Sequence, residues 1–168
     1  DVILSFSGVN PINGLSVDID SLGNRIIVGI SDGNTSGPGD LKVYDRVSTN
    51  NWIELGSNPM FPSNSIQSST NNYCFGYDVS ISGDGNTIIG GSYGSYPMSA
   101  SELNGDDVCN GYSYAGHAEV YEYDGSEYWN QVGPTICGLQ DSDYQALVSL
   151  SSSANKLIFS PYYHEYSN

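Results

Sequence analysis

One pattern of apolar and turn residues recurs along this chain at a fixed spacing. Gly14, Val17, Ile19, Gly23, Asn24, Ile26, Ile27 and Gly29 reappear 62 residues later as Gly76, Val79, Ile81, Gly85, Asn86, Ile88, Ile89 and Gly91. A looser third copy follows after a further 69 residues, with Val148, Leu150, Asn155, Leu157 and Ile158, and Gln145 where the leading glycine stood. A chain built this way is a repeat protein, and each copy is one supersecondary unit that buries its faces against its neighbours.

The unit reads as a β-hairpin. Val79 and Ile81 alternate with Ser80 and Ser82, the period of two expected of a strand with one face on a core. Residues 82–87, Ser-Gly-Asp-Gly-Asn-Thr, supply turn chemistry, and Ile88-Ile89 return as a second, β-branched strand. A second block also repeats. Leu41-Lys42-Val43-Tyr44-Asp45 and Trp52-Ile53-Glu54-Leu55-Gly56 correspond to Ala118-Glu119-Val120-Tyr121-Glu122 and Trp129-Asn130-Gln131-Val132-Gly133, now 77 residues apart. The second copy therefore carries 15 extra residues, within Tyr93 to Gly116.

Each complete copy then holds four short strands, at 15–20, 25–30, 41–46 and 52–56 and again at 77–82, 87–92, 117–123 and 129–133. A four-stranded meander per repeat is a β-propeller blade. The expected fold is all-β, with about two and a half blades belonging to a larger propeller, since propellers close with about 4–8 blades. The organisation is the last strand of a preceding blade or an N-terminal strand in 1–13, blade 1 in 14–57, a connection in 58–75, blade 2 in 76–134 with its insertion at 93–116, a connection in 135–144 and a partial blade 3 in 145–168. No stretch has sustained helical periodicity, so almost no helix is expected. Trp52 and Trp129, and likewise Tyr44 and Tyr121, occupy equivalent positions and read as structural residues packed between sheets.

Nineteen acidic against four basic residues give a formal charge of −15, which repels phosphate backbones and anionic membrane surfaces. Nucleic acid is excluded as a partner on this ground. No run of about 18 apolar residues exists, so no membrane-spanning helix is expected. The acidity, the scarcity of lysine and the Asn34-Thr35-Ser36 glycosylation sequon favour a secreted or surface protein. Three cysteines, Cys74, Cys109 and Cys137, fall on one face of the blade arrangement. A bridge from Cys109 to one of the others, with Cys137 favoured, stands against three free thiols.

Phe75-Gly76, Gly91-Ser92-Tyr93 and the strand Gly116-His117-Ala118-Glu119-Val120-Tyr121-Glu122-Tyr123 resemble the FG-GAP repeat, over most of residues 14–133 and weakly over 145–168. The blades are similar to those of integrin α-subunit propellers and of microbial and algal FG-GAP surface proteins. The resemblance implies an extracellular propeller used for adhesion, ligand binding or assembly. The first copy departs from the motif with Asn13-Gly14, and neither copy has Gly-Ala-Pro. Many such repeats hold Ca²⁺ in the first hairpin through a long acidic loop. Ca²⁺ takes about 6–8 oxygen ligands, whereas only Asp84 is acidic between Ile81 and Ile88, so these hairpins read as plain turns and no cofactor is expected.

Asp32, Asn34 and Asp40 are the other candidate Ca²⁺ ligands, in a loop whose preferred reading is a solvated Gly-rich connection. Tyr93, Tyr96, Tyr112 and Tyr114 in the insertion, with Tyr162 in the third copy, form a candidate binding surface for a protein or a glycan. The competing reading has those rings folded over blade edges. There is no Gly-x-Ser-x-Gly elbow, phosphate-binding loop or His-Glu-x-x-His, and the chain is expected not to be an enzyme. The expected function is a non-catalytic adhesion or binding module. The alternatives are a structural subunit completed by copies of itself in an extracellular or viral filament, and a fragment of a propeller hydrolase.

Overall fold

In a computed structural model, the described residues are 15–30, 39–55, 75–92, 115–126, 128–139 and 146–161. All regular structure among them is β. The first sheet is a meander of β1 (Leu15–Ile19), β2 (Arg25–Ile30), β3 (Asp40–Ser48) and β4 (Asn51–Glu54), antiparallel throughout. The second repeats it with β5 (Phe75–Ile81), β6 (Thr87–Ser92), β7 (His117–Tyr123) and β8 (Trp129–Gln131). A third, two-stranded sheet is formed by β10 (Ala146–Leu150) and β11 (Leu157–Pro161). One strand was not expected: β9 (Ile136–Cys137), in the stretch read as a connection, pairs with the start of β7 through His117–Cys137 and Ala118–Ile136.

The three hairpin turns share one geometry. Gly23, Gly85 and Ala154 occupy the same turn position with φ of 68°, 75° and 55°, a left-handed conformation that glycine adopts freely and alanine only under strain. In each turn the side chain three residues earlier, Asp20, Ser82 or Ser151, accepts a backbone N–H from Asn24, Thr87 or Lys156 at 2.7, 3.0 or 3.1 Å. The repeat therefore conserves a hydrogen-bonded turn even where the glycine is lost.

Period-two alternation then decides which blade each side chain meets. Ile27, Leu41 and Val43 of the first sheet pack against Phe75, Val79, Ile81, Ile88 and Tyr121 of the second, with Leu55 and Trp129 at the margin. On its other side the second sheet sends Ile89 and Ala118 onto Val148 of the third, flanked by Val120, Leu150 and Phe159. The core thus lies between blades and not within one. Burying each such aliphatic side chain contributes about 1.5–3 kcal/mol, so the blades stabilise one another.

Candidate functional site

β1 and β5, the inner strands of the first two blades, each carry two hydrogen-bonding side chains two residues apart, and these reach the inner strand of the next blade. Ser16 Oγ accepts the Val79 N–H at 3.1 Å and donates to Asp78 Oδ1 at 2.9 Å. Asp18 Oδ2 accepts from both the Ile81 N–H and the Ser80 hydroxyl at 2.9 Å. One blade further on, Asp78 Oδ2 accepts the Val148 N–H at 2.8 Å and Ser80 Oγ the Leu150 N–H at 3.1 Å. The same two positions make the same two contacts at successive junctions. The device has a direction, because side chains of one blade serve backbone donors of the next.

The turns continue this line. The Ser21 N–H donates to the Gly83 carbonyl at 3.0 Å and the Gly83 N–H to the Ser152 carbonyl at 2.8 Å, so all three turns join. Arg25 fastens the first junction from outside the core. Its guanidinium makes a two-pronged pair with Asp45 at 2.5 and 3.0 Å, donates to the Gly85 carbonyl and the Asn86 side chain at 2.9 and 3.1 Å, and lies 5.1 Å from the Tyr123 ring. Its role has no copy in the second blade, where Thr87 stands at the equivalent position.

A second polar cluster lies on β7, where alternation puts His117, Glu119 and Tyr121 on one face, all buried. The Tyr121 hydroxyl and the Thr135 hydroxyl donate to the two Glu119 oxygens at 2.5 and 2.9 Å, and Gln131 donates to Thr135 at 3.3 Å. Burial and the adjacent Glu119 carboxylate push the Tyr121 phenol well above its ordinary range. Burial alone depresses His117 from 6.5 to about 4, keeping the imidazole neutral at physiological pH. The equivalent face of β3 carries Asp40, Lys42 and Tyr44, with Lys42 paired to Glu54 at 3.3 Å.

Of the residues singled out from sequence, Asp40 and Cys137 lie among the described ones. Asp40 opens β3, paired with Ile30, and burial lifts its carboxyl from 3.8 to about 6, against the opposing pull of Lys42. Asp32 and Asn34, the other candidate ligands, lie outside the described residues, as does the sequon. Among the described residues no group of three or more His, Cys, Asp or Glu side chains is arranged to hold a metal ion. Cys137, in β9, is disulfide-bonded; Cys74 and Cys109 both lie outside the described residues. Tyr93, Tyr96, Tyr112, Tyr114 and Tyr162 lie outside them too. No helix among the described residues is long and apolar enough to cross a membrane.

The inter-blade acceptors and the buried Glu119 of the β7 cluster were not singled out from sequence. The first had a readable signal, since Ser16, Asp18, Asp78 and Ser80 repeat at the spacing of 62 on the polar side of an alternating strand. The second had none, because an acidic residue in a strand ordinarily faces water.

Two expected results arise here. Asp18→Ala leaves the Ile81 N–H without its acceptor at a buried junction and is expected to cost about 1–3 kcal/mol. Asp18→Asn, which keeps an acceptor oxygen, is expected to recover part of this in urea unfolding. The second concerns acid stability. His117 has a folded-state value below its unfolded one, so stability at this residue is present above pH 6.5 and is lost as pH falls from 6.5 to about 4. Asp40 has its value raised, so its contribution is present below pH 3.8 and is lost as pH rises from 3.8 to about 6. The two oppose each other over nearly the same span. Relative to wild type, His117→Gln is expected to lose an acid destabilisation of about 3 kcal/mol, and Asp40→Asn to show a steeper loss of stability toward pH 4. Unfolding midpoints measured from pH 3.5 to 7 for the three proteins check both signs.

No protein-family model matches the chain, and neither a curated protein nor a solved structure does. The likeness to FG-GAP repeats accordingly rests on the repeated residues themselves.

Proposed function

We propose that this chain is a non-catalytic binding or adhesion module built on FG-GAP-like propeller repeats and working outside the cell. The observation that carries the reading is the way its polar inner-strand side chains are used. Ser16, Asp18, Asp78 and Ser80 are engaged in joining blade to blade. A scaffold locked in this manner holds its strand ends at fixed separations, which is what a binding surface built from the connections between them requires. The disulfide at Cys137 supports an oxidising compartment, and the −15 charge supports a partner that is not an anionic polymer.

The ligand class is a protein or a glycan, taken by the tyrosines of the insertion. The test is binding of the fluorescently labelled chain to an immobilised glycan panel and to extracellular matrix proteins. Replacing Tyr112 and Tyr114 together by alanine is expected to weaken capture at least tenfold without moving the melting temperature. Undiminished capture by that double variant would place the binding surface elsewhere, and no capture by wild type on either panel would remove the reading.

A further inference from the structure

Repeat equivalence makes a comparison available between a covered face and an open one. Val79 and Ile81 in β5 are 5 % exposed because the first blade lies over them, and their backbone N–H groups are taken by Ser16 and Asp18. Val17 and Ile19 hold the same positions in β1 and are 65 % and 54 % exposed. The open part of this face is its inner-strand edge, since Val28, opposite Val17 in β2, is buried. The Ile19 N–H, equivalent to the one Asp18 accepts from Ile81, turns instead to its own residue's neighbour, Asp18 Oδ1, at 2.8 Å.

At the other end the third sheet has an open face of the opposite kind. Ile158 is equivalent to Ile27 and Ile89, the residues that the first and second sheets press onto the next blade, and it is 67 % exposed. Leu147 and Ser149 stand where Ser16 and Asp18, then Asp78 and Ser80, receive the N–H groups of the following inner strand. Leu147 replaces one acceptor with exposed apolar surface, and Ser149 keeps the other, also exposed.

We infer that the open face of β1 docks the open face of β10 and β11 from a second copy of this chain, head to tail. The junction continues the one already made twice within the chain: Ile158 and Leu147 cover Val17 and Ile19, and Ser149 accepts the Ile19 N–H. The surfaces joined are different, so the contact is heterologous and propagates until the ring closes or a filament grows. This self-association does not depend on the ligand-binding reading, and either can fail alone. Because each copy carries −15, association requires screening and is strengthened by salt.

Sedimentation equilibrium of the 168-residue chain in 0.15 M and about 1 M salt tests it. Wild type is expected to show mass rising with concentration, more so at high salt. Val17→Asp and Ile158→Asp, both at exposed positions that leave the core intact, are each expected to be monomeric. Mixed together they are expected to form a dimer and nothing larger, since each retains the face the other lacks. A wild-type monomer under all conditions overturns the proposal, as does association that survives either substitution. An equimolar mixture of the two variants that stays monomeric while wild type associates also overturns it, because that pattern belongs to a different interface.

Discussion

Alanine at Gly29 is expected to be among the most damaging single substitutions in this chain, at about 3 kcal/mol. Gly29 lies in β2 where the first blade closely approaches the backbone of the second. A Cβ there would fall on the carbonyl oxygen of Gly76 and within 2.8 Å of Val79 Cγ1. Backbone on the opposing blade has no rotamer with which to retreat, so the sheets must separate. Overpacking of this kind costs about 1–3 kcal/mol and more where nothing can yield. Separation would also lengthen the bonds from Ser16 and Asp18 to Val79 and Ile81. Gly125→Ala provides the comparison: its φ of 82° is strained for alanine, but its Cβ would meet nothing within 4 Å. It is expected to cost about 1–2 kcal/mol from conformation alone. Urea unfolding of both variants checks the order, and a Gly29 variant as stable as the Gly125 one would disprove the close junction.

The second large effect is expected at Phe75, with Phe75→Ala costing about 3–5 kcal/mol. Phe75 is fully buried, and its ring stacks on His117 with centroids 6.0 Å apart and meets Tyr121 edge-on at 6.4 Å. It also fills the space beside Gly90, where a Cβ would come within 2.8 Å of both Phe75 Cζ and Leu41 Cδ1. Truncation therefore opens a cavity at the meeting of β3, β5, β6 and β7. Phe75→Leu, which keeps much of the volume, is expected to lose less. A second readout separates cavity from general loosening. His117 is held near 4 by burial, so water entering the cavity is expected to move its titration up toward 6.5, as read by NMR of the imidazole protons. An unchanged His117 titration in a destabilised Phe75→Ala protein would mean that Phe75 does not shield it.

The pair Phe75-Gly76 acquires a physical reason from these contacts. The register between β5 and β6 slips between Phe75 and Asp78, and Gly76 at the irregularity has φ of 86°. The bulge brings the Gly76 backbone against Asp40 and Ile30 and turns the Phe75 ring inward. Glycine is required on both counts, by the positive φ and by the lack of room.

The repeat alone determined the architecture. Eight identities at a spacing of 62 and the alternation within them fixed strand positions, hairpin turns and the four-strand unit, because period-two burial and turn chemistry are local properties that each segment expresses by itself. The spacing of 69 likewise located β10 and β11, even with Ala154 in the glycine position. β9 escaped notice because a two-residue strand has no periodicity to display. Only the tertiary structure decided what the polar alternates do. Ser16 and Asp78 occupy the side of a strand that sequence reasoning assigns to solvent, yet they face the backbone of the neighbouring blade. Nor could the sequence separate Val17 from Val79, which both lie between one Ser and one Asp and hold the same place in the repeat. One is open and the other covered solely because a blade lies over the second, and burial is set by what stacks on a strand from elsewhere in the fold.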